Sequence, residues 1–193
     1  MPVATTPDPV AHDILIIDDR RTGDSRSALG TTWRLVTDGV MGGVSAGRLT
    51  NDTVGGRDCL RLRGDVSLEN NGGFVQASLD VGDTSAADAS AYLGLILDVR
   101  GNNEVYNLHL RTADLGRPWQ SYRAAFQATP GWQTVRLPFS GFVRHRTERP
   151  LDPARLERIG IVAIGRAFAA DLCVARLALY RDVTPSQDSD TDT

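Results

Sequence analysis

The chain has 193 residues, of which 41% are hydrophobic and 23% charged, and a formal charge of −3. This is globular composition, long enough for a fold that buries about 70% of the unfolded surface without cross-links. All 21 basic residues are arginine, which excludes a Schiff-base lysine, a Walker A lysine and any other catalytic amine on a lysine.

Residues 1–11 are rich in Pro, Thr and Asp and have neither a basic start nor an apolar run. They predict a flexible tail without a targeting signal, hence a cytoplasmic chain. At the other end, residues 183–193 predict an acidic disordered tail. Its aspartates Asp188, Asp190 and Asp192 equal the whole negative excess, so the charge balance points to neither nucleic acid nor anionic lipid. No stretch approaches 18 apolar residues, so no membrane span is expected.

Between the tails the dominant period is two. Residues 14–17 predict an opening strand. Leu60, Leu62, Val66 and Leu68 share one parity, with Arg61, Arg63, Asp65 and Ser67 on the other. Val75, Ala77, Leu79 and Val81 alternate with Gln76, Ser78 and Asp80, and Tyr106, Leu108 and Leu110 alternate with Asn107, His109 and Arg111. Tyr122, Ala124 and Phe126 repeat the pattern, as do Val135, Leu137 and Phe139. Such alternation means strands with one buried and one wet face. Residues 92–99 and 159–164 are more evenly apolar and predict central strands, and residues 172–180 a closing one. Turn residues punctuate the series at 51–56, 69–73, 101–103, 114–118 and 129–131. Helical signal is confined to a turn at 153–157, with Asp152 as N-cap and Pro153 in first position. Together these predict an all-β antiparallel sandwich or jelly roll, a single domain over residues 12–182.

Chemistry-bearing motifs are sparse. Gly43-Val-Ser-Ala-Gly47 fits the G-x-S-x-G elbow, but residues 48–56 offer turns where that motif needs a helix. A hydrolase on Ser45 is therefore the third-ranked reading, and it would require His109 or His145 within reach of the hydroxyl. No metal-ligand spacing occurs, so neither metal nor cofactor is expected, with a loop-bound calcium the case that spacing does not address. Cys59 and Cys173, distant in sequence, read as buried thiols, and Trp132 reads as a core residue. His109, on the polar parity, reads as a surface histidine. If 106–111 and 122–127 form a hairpin, Asn107, His109, Arg111, Arg123 and Gln127 share one polar face with Trp119 at its edge. Amides, guanidinium groups and a flat ring are what a sugar-binding surface uses; an ordinary solvated face has the same composition.

Two long strings carry a family resemblance: Trp33-Arg-Leu-Val-Thr-Asp-Gly-Val-Met-Gly-Gly-Val-Ser45 and Gly64-Asp-Val-Ser-Leu-Glu-Asn-Asn-Gly-Gly-Phe74. With Val99-Arg-Gly101, Leu110-Arg-Thr112 and the Trp132…Leu137-Pro-Phe139 segment, the chain resembles the NADH:ubiquinone oxidoreductase (complex I) intermediate-associated protein family over residues 14–181. The resemblance implies a galactose-binding-like jelly roll, no catalytic activity, and a chaperone-like role towards protein partners, respiratory-chain subunits among them. It also implies kinship in architecture with carbohydrate-binding modules, which makes a glycan the alternative partner. Gly101-Asn-Asn-Glu104 and Phe168-Ala-Ala-Asp-Leu172 depart from the family's usual turns, so surfaces built on those loops need not carry over. Within the matching strings, Asp38, Ser45, Glu69, Asn70, Asn71 and Arg100 flank glycine-rich turns. They read either as a network that ties loops to the sheet, with Arg100 holding Asp38 or Glu69 bidentately, or as the lining of a binding site.

Overall fold

The computed structural model describes residues 12–182; the two predicted tails lie outside the described residues. Among the described residues, twelve strands form two antiparallel sheets. They are β1 (His12–Asp18), β2 (Arg34–Thr37), β3 (Ala46–Val54), β4 (Arg57–Val66), β5 (Phe74–Asp80), β6 (Gly94–Arg100), β7 (Glu104–Thr112), β8 (Ser121–Ala128), β9 (Gln133–Pro138), β10 (Val143–His145), β11 (Leu156–Ile164) and β12 (Phe168–Asp182). The first sheet runs β3-β4-β12-β6-β9, with β1 also paired to β12; the second runs β10-β8-β7-β11-β5-β2. The protein is an all-β jelly-roll sandwich.

Alternation sends Leu60, Leu62, Val75, Leu79, Leu108, Leu110, Phe126, Ile159, Ile161 and Leu172 into one shared core between the sheets. In β6, residues on both sides of the strand are buried. Its outward Asp98 is neutralised there by Arg57 and Arg176 and accepts from Thr134 Oγ1 at 2.8 Å. The Asp152 cap is present: its carboxylate accepts from the Ala154 amide, and Pro153–Arg155 forms a 3-10 turn.

The chain departs from the alternation reading in several places. Residues 51–54 belong to β3, whose hairpin to β4 turns at Gly55 and Gly56, both with positive φ. Polar and Gly residues cluster there because β3 is an edge strand with a wet outer side, not because the strand has ended. The short strands β2 and β10 carry too little pattern to be read. Leu68 lies past the end of β4 and is 51% exposed rather than inward. The strand stops there because the Ser67 amide donates to Ser45 Oγ at 2.9 Å, and Asn70 and Asn71 then turn the chain at φ 53 and 57. Trp132 leaves the shared core for the outer side of the first sheet. There it packs with Cys59, Cys173 and Ala175, donates to the Val54 carbonyl at 3.0 Å and lies under Arg57. The two cysteines are thus brought together in that cluster, both buried and both free.

Candidate functional site

Asp38 opens a short 3-10 turn, Asp38–Met41, immediately after β2. Its side chain is fully buried, and its carboxylate accepts from the Ser45 amide at 3.0 Å, Ser45 Oγ at 2.5 Å, the Gly73 amide at 2.5 Å and the Phe74 amide at 3.4 Å. Burial pushes this carboxyl up, but these donors outweigh it and hold it below the usual carboxylate range. Ser45 Oγ also bonds Ser67, accepting from its amide and facing its carbonyl at 3.2 Å. A β-carbon on Gly43 or Gly72 would collide with the Asp38 carboxylate, so the carboxylate can be wrapped this closely only by glycine.

The knot ties the 38–45 and 67–73 loops together. Glu69, Asn70 and Asn71 stand exposed on the second loop. Arg100 is not part of it: among the described residues it holds neither Asp38 nor Glu69, and its guanidinium lies beside Gly55 and Trp132 on the first sheet. The backbone amides of the glycine turn fill the role that the sequence reading gave to Arg100. Ser45 Oγ is likewise engaged with Asp38 and Ser67, and among the described residues neither His109 nor His145 bonds it, so the base that the hydrolase reading required is not at the hydroxyl.

What the sequence reading missed is the outer surface of the knot. Val40 is 76% exposed and Met41 63%, with Val44 and Leu68 about half exposed. Val40, Met41 and Val44, inside a Gly-rich loop, have no strand parity by which to assign them a side, so the signal was only their presence between Gly39 and Gly47; Leu68 had a parity, and it pointed the wrong way.

A second polar site lies on the outer face of the second sheet. The β7–β8 hairpin forms, with His109 opposite Arg123. Arg111 does not present its guanidinium to this face's centre. It donates to the Arg117 and Gln120 carbonyls, both at 2.7 Å, and so holds the loop that carries Trp119, which is 52% exposed beside Arg117. Arg123 is half-buried, with Nε donating to Ser121 Oγ at 3.1 Å and no carboxylate paired to it among the described residues. Burial and then the Arg146 charge push its guanidinium below its ordinary range.

His109 is far less solvated than its parity suggests. Its Nε2 is shielded from solvent and has no hydrogen-bond partner. Burial, then the Arg123 and His145 charges, push it down to about 3, so the ring is neutral. Parity gave the correct face, but the ring is buried there with Arg123 of β8 and His145 of β10 close by. His145, opposite Ser121 on β10, is also pushed down by burial and by Arg123 and Arg146. No group of three His, Cys, Asp or Glu residues able to hold a metal occurs among the described residues. No helix among them is long and apolar enough to cross a membrane.

Residues 22–174 match the family described as Complex I intermediate-associated protein 30 (CIA30). No curated protein sequence matches. Among solved structures, the chain is similar to the family 11 carbohydrate-binding module of cellulosomal cellulase Lic26A-Cel5E of Clostridium thermocellum. That match has a TM-score of 0.69 at 13% identity and covers 88% of this chain and 95% of the module. The same organism's family 11 module in complex with a β-1,3-1,4-mixed-linked tetrasaccharide matches with a TM-score of 0.61 at 13% identity, over 89% and 96% of the two chains. A family 30 carbohydrate-binding module matches with a TM-score of 0.56 at 15% identity, over 78% and 87%. At these identities the likeness concerns the fold.

Proposed function

The chain belongs to the Complex I intermediate-associated protein 30 family, and from that premise we propose that it is a non-catalytic binding domain for protein partners, in an assembly-factor or chaperone-like role. The observation that carries this reading is the Asp38 knot. It spends a buried carboxylate and a set of glycines on holding two loops that expose Val40, Met41, Val44 and Leu68. Exposed apolar side chains cost solvation and favour association, and a rigid display lowers the ordering entropy that binding must overcome. The partners proposed from the family's description are respiratory-chain subunits.

Crosslinking and affinity capture from the native lysate, with wild type and Met41→Glu side by side, test this. Respiratory-chain subunits enriched by the wild type and lost from the variant support the reading. Equal capture by both removes these loops from the interface.

A second reading, glycan binding on the outer face of the second sheet, is favoured by the half-buried polar groups around Arg123 and His109. Its architecture is shared with carbohydrate-binding modules, and Trp119 offers a ring for stacking. A glycan array read with wild type and Trp119→Ala tests it. A hit weakened in the variant supports sugar binding that reaches the Trp119 loop, and an array without hits ends this reading.

A further inference from the structure

The Arg123–His109 region is built in a way that a plain solvated face does not require. In one row across the sheet, Arg123, His109, Gly160 and Ser78 are register neighbours on β8, β7, β11 and β5. In the next row the neighbours are Ala125, Asn107, Val162 and Gln76. Gly160 leaves room over the sheet that the Gln76 amide occupies: a β-carbon there would meet Gln76 Nε2 at 2.8 Å. The surface therefore offers one half-buried cation without a counter-ion and two side-chain amides, over a buried strip at Gly160 and Val162 and beside a shielded, unpartnered ring nitrogen.

We propose that this face binds a sugar acid, with the ligand carboxylate on the Arg123 guanidinium and its hydroxyls on the Gln76 and Asn107 amides. The inference rests on the glycan reading of this face and names its ligand class. A guanidinium removed from water without a carboxylate is costly, and an arriving carboxylate meets its planar fork bidentately. A side-chain amide and a sugar hydroxyl each both donate and accept, so the Gln76 and Asn107 amides can pair with hydroxyls. An acidic peptide is the poorer fit. It would want several free cations at side-chain spacing, whereas Arg111 is committed to loop carbonyls and Arg158 and Arg34 both hold Asp80.

The test titrates the full chain with α-1,4-linked trigalacturonate, with a neutral galactose trisaccharide, and with triglutamate, by calorimetry and amide chemical shifts. Trigalacturonate binds, more weakly as salt rises, and at least tenfold more tightly than either comparison ligand. Arg123→Gln weakens it at least tenfold while the thermal midpoint stays equal or rises, because an uncompensated charge has been removed. Equal binding of the neutral and acidic trisaccharides overturns the inference and leaves the glycan reading standing. Binding of neither overturns both. Triglutamate binding as tightly as trigalacturonate, or a midpoint that falls in Arg123→Gln, overturns the inference as well, the last by making Arg123 a structural residue.

Discussion

Two buried or half-buried charges sit on different parts of this sandwich, and they have been treated in opposite ways. Asp38, at the end of β2, is enclosed by amide and hydroxyl donors from two loops. Arg123, on β8, has one hydroxyl on Nε and no carboxylate among the described residues. A charge that the protein's own backbone satisfies is a structural tie, since its donors would otherwise be unpaired. A charge left short of partners is held ready for something outside the chain. The comparison separates the site's residues by role. Asp38 and Ser45 hold loops, Val40 and Met41 are what those loops display, and Arg123 is the residue proposed to face a ligand.

The largest effect expected from breaking this comparison is at Asp38. Asp38→Ala removes the acceptor of the Ser45 and Gly73 amides and leaves them buried beside a void. The expected cost is roughly 3 kcal/mol or more, a large share of an ordinary domain's stability. Denaturant unfolding midpoints check this. A loss of less than about 1 kcal/mol would mean that water or a loop shift replaces the carboxylate, and that the two loops are not rigidly tied.

His109 gives a smaller, pH-dependent effect. Its value in the folded protein, about 3, lies below the ordinary 6.5. Between these limits the unfolded chain binds more protons, so stability falls as pH drops from 6.5 towards 3, by at most about 1.4 kcal/mol per pH unit. Asp38 and Asp98, both held below the usual carboxylate range, act only further down, as pH falls through the carboxylate region. The window from pH 6.5 to 4.5 therefore separates the histidines from the carboxylates, and because His145 is pushed down as well, the His109 share is the difference between wild type and a His109 variant. The wild type is expected to lose roughly 2 kcal/mol across it, and His109→Asn to show a flatter profile. Equal slopes in both would mean that the ring is solvated and that its Nε2 is not an orphan.

Much of this was legible in the sequence, and the illegible parts share a cause. Period two placed the inward faces of β4, β5, β7 and β8 because a strand with one side in the core alternates regardless of its neighbours. Pattern also put His109, Arg111 and Arg123 on one face. It gave no burial for His109, because the cover over an outer face comes from side chains on strands adjacent in space, not in sequence. It offered Arg100 as a charged partner for Asp38 or Glu69, whereas the partners of Asp38 are the Ser45 hydroxyl and backbone amides, which every residue but proline carries and no motif announces. Leu68 followed a parity that ended two residues earlier, once Ser67 had turned to Ser45.

The smallest expected change in stability sharpens the comparison most, because it separates display from support within one loop. Met41 is three residues from Asp38 and 63% exposed, and none of the donors to the carboxylate belongs to it. Met41→Glu therefore deletes no buried contact and strands no polar group, and surface changes of this kind typically stay within about 0.5 kcal/mol. The same change sets a charge in the middle of the apolar display, where a partner would have to desolvate it. Unfolding midpoints for Met41→Glu close to wild type, together with lost partner capture, place binding on the loop's outer surface and folding on its inner carboxylate. A midpoint that falls as far as that of Asp38→Ala would mean that the apolar side chains are part of the knot itself, and that what it holds in place is the end of the sandwich rather than a surface for another protein.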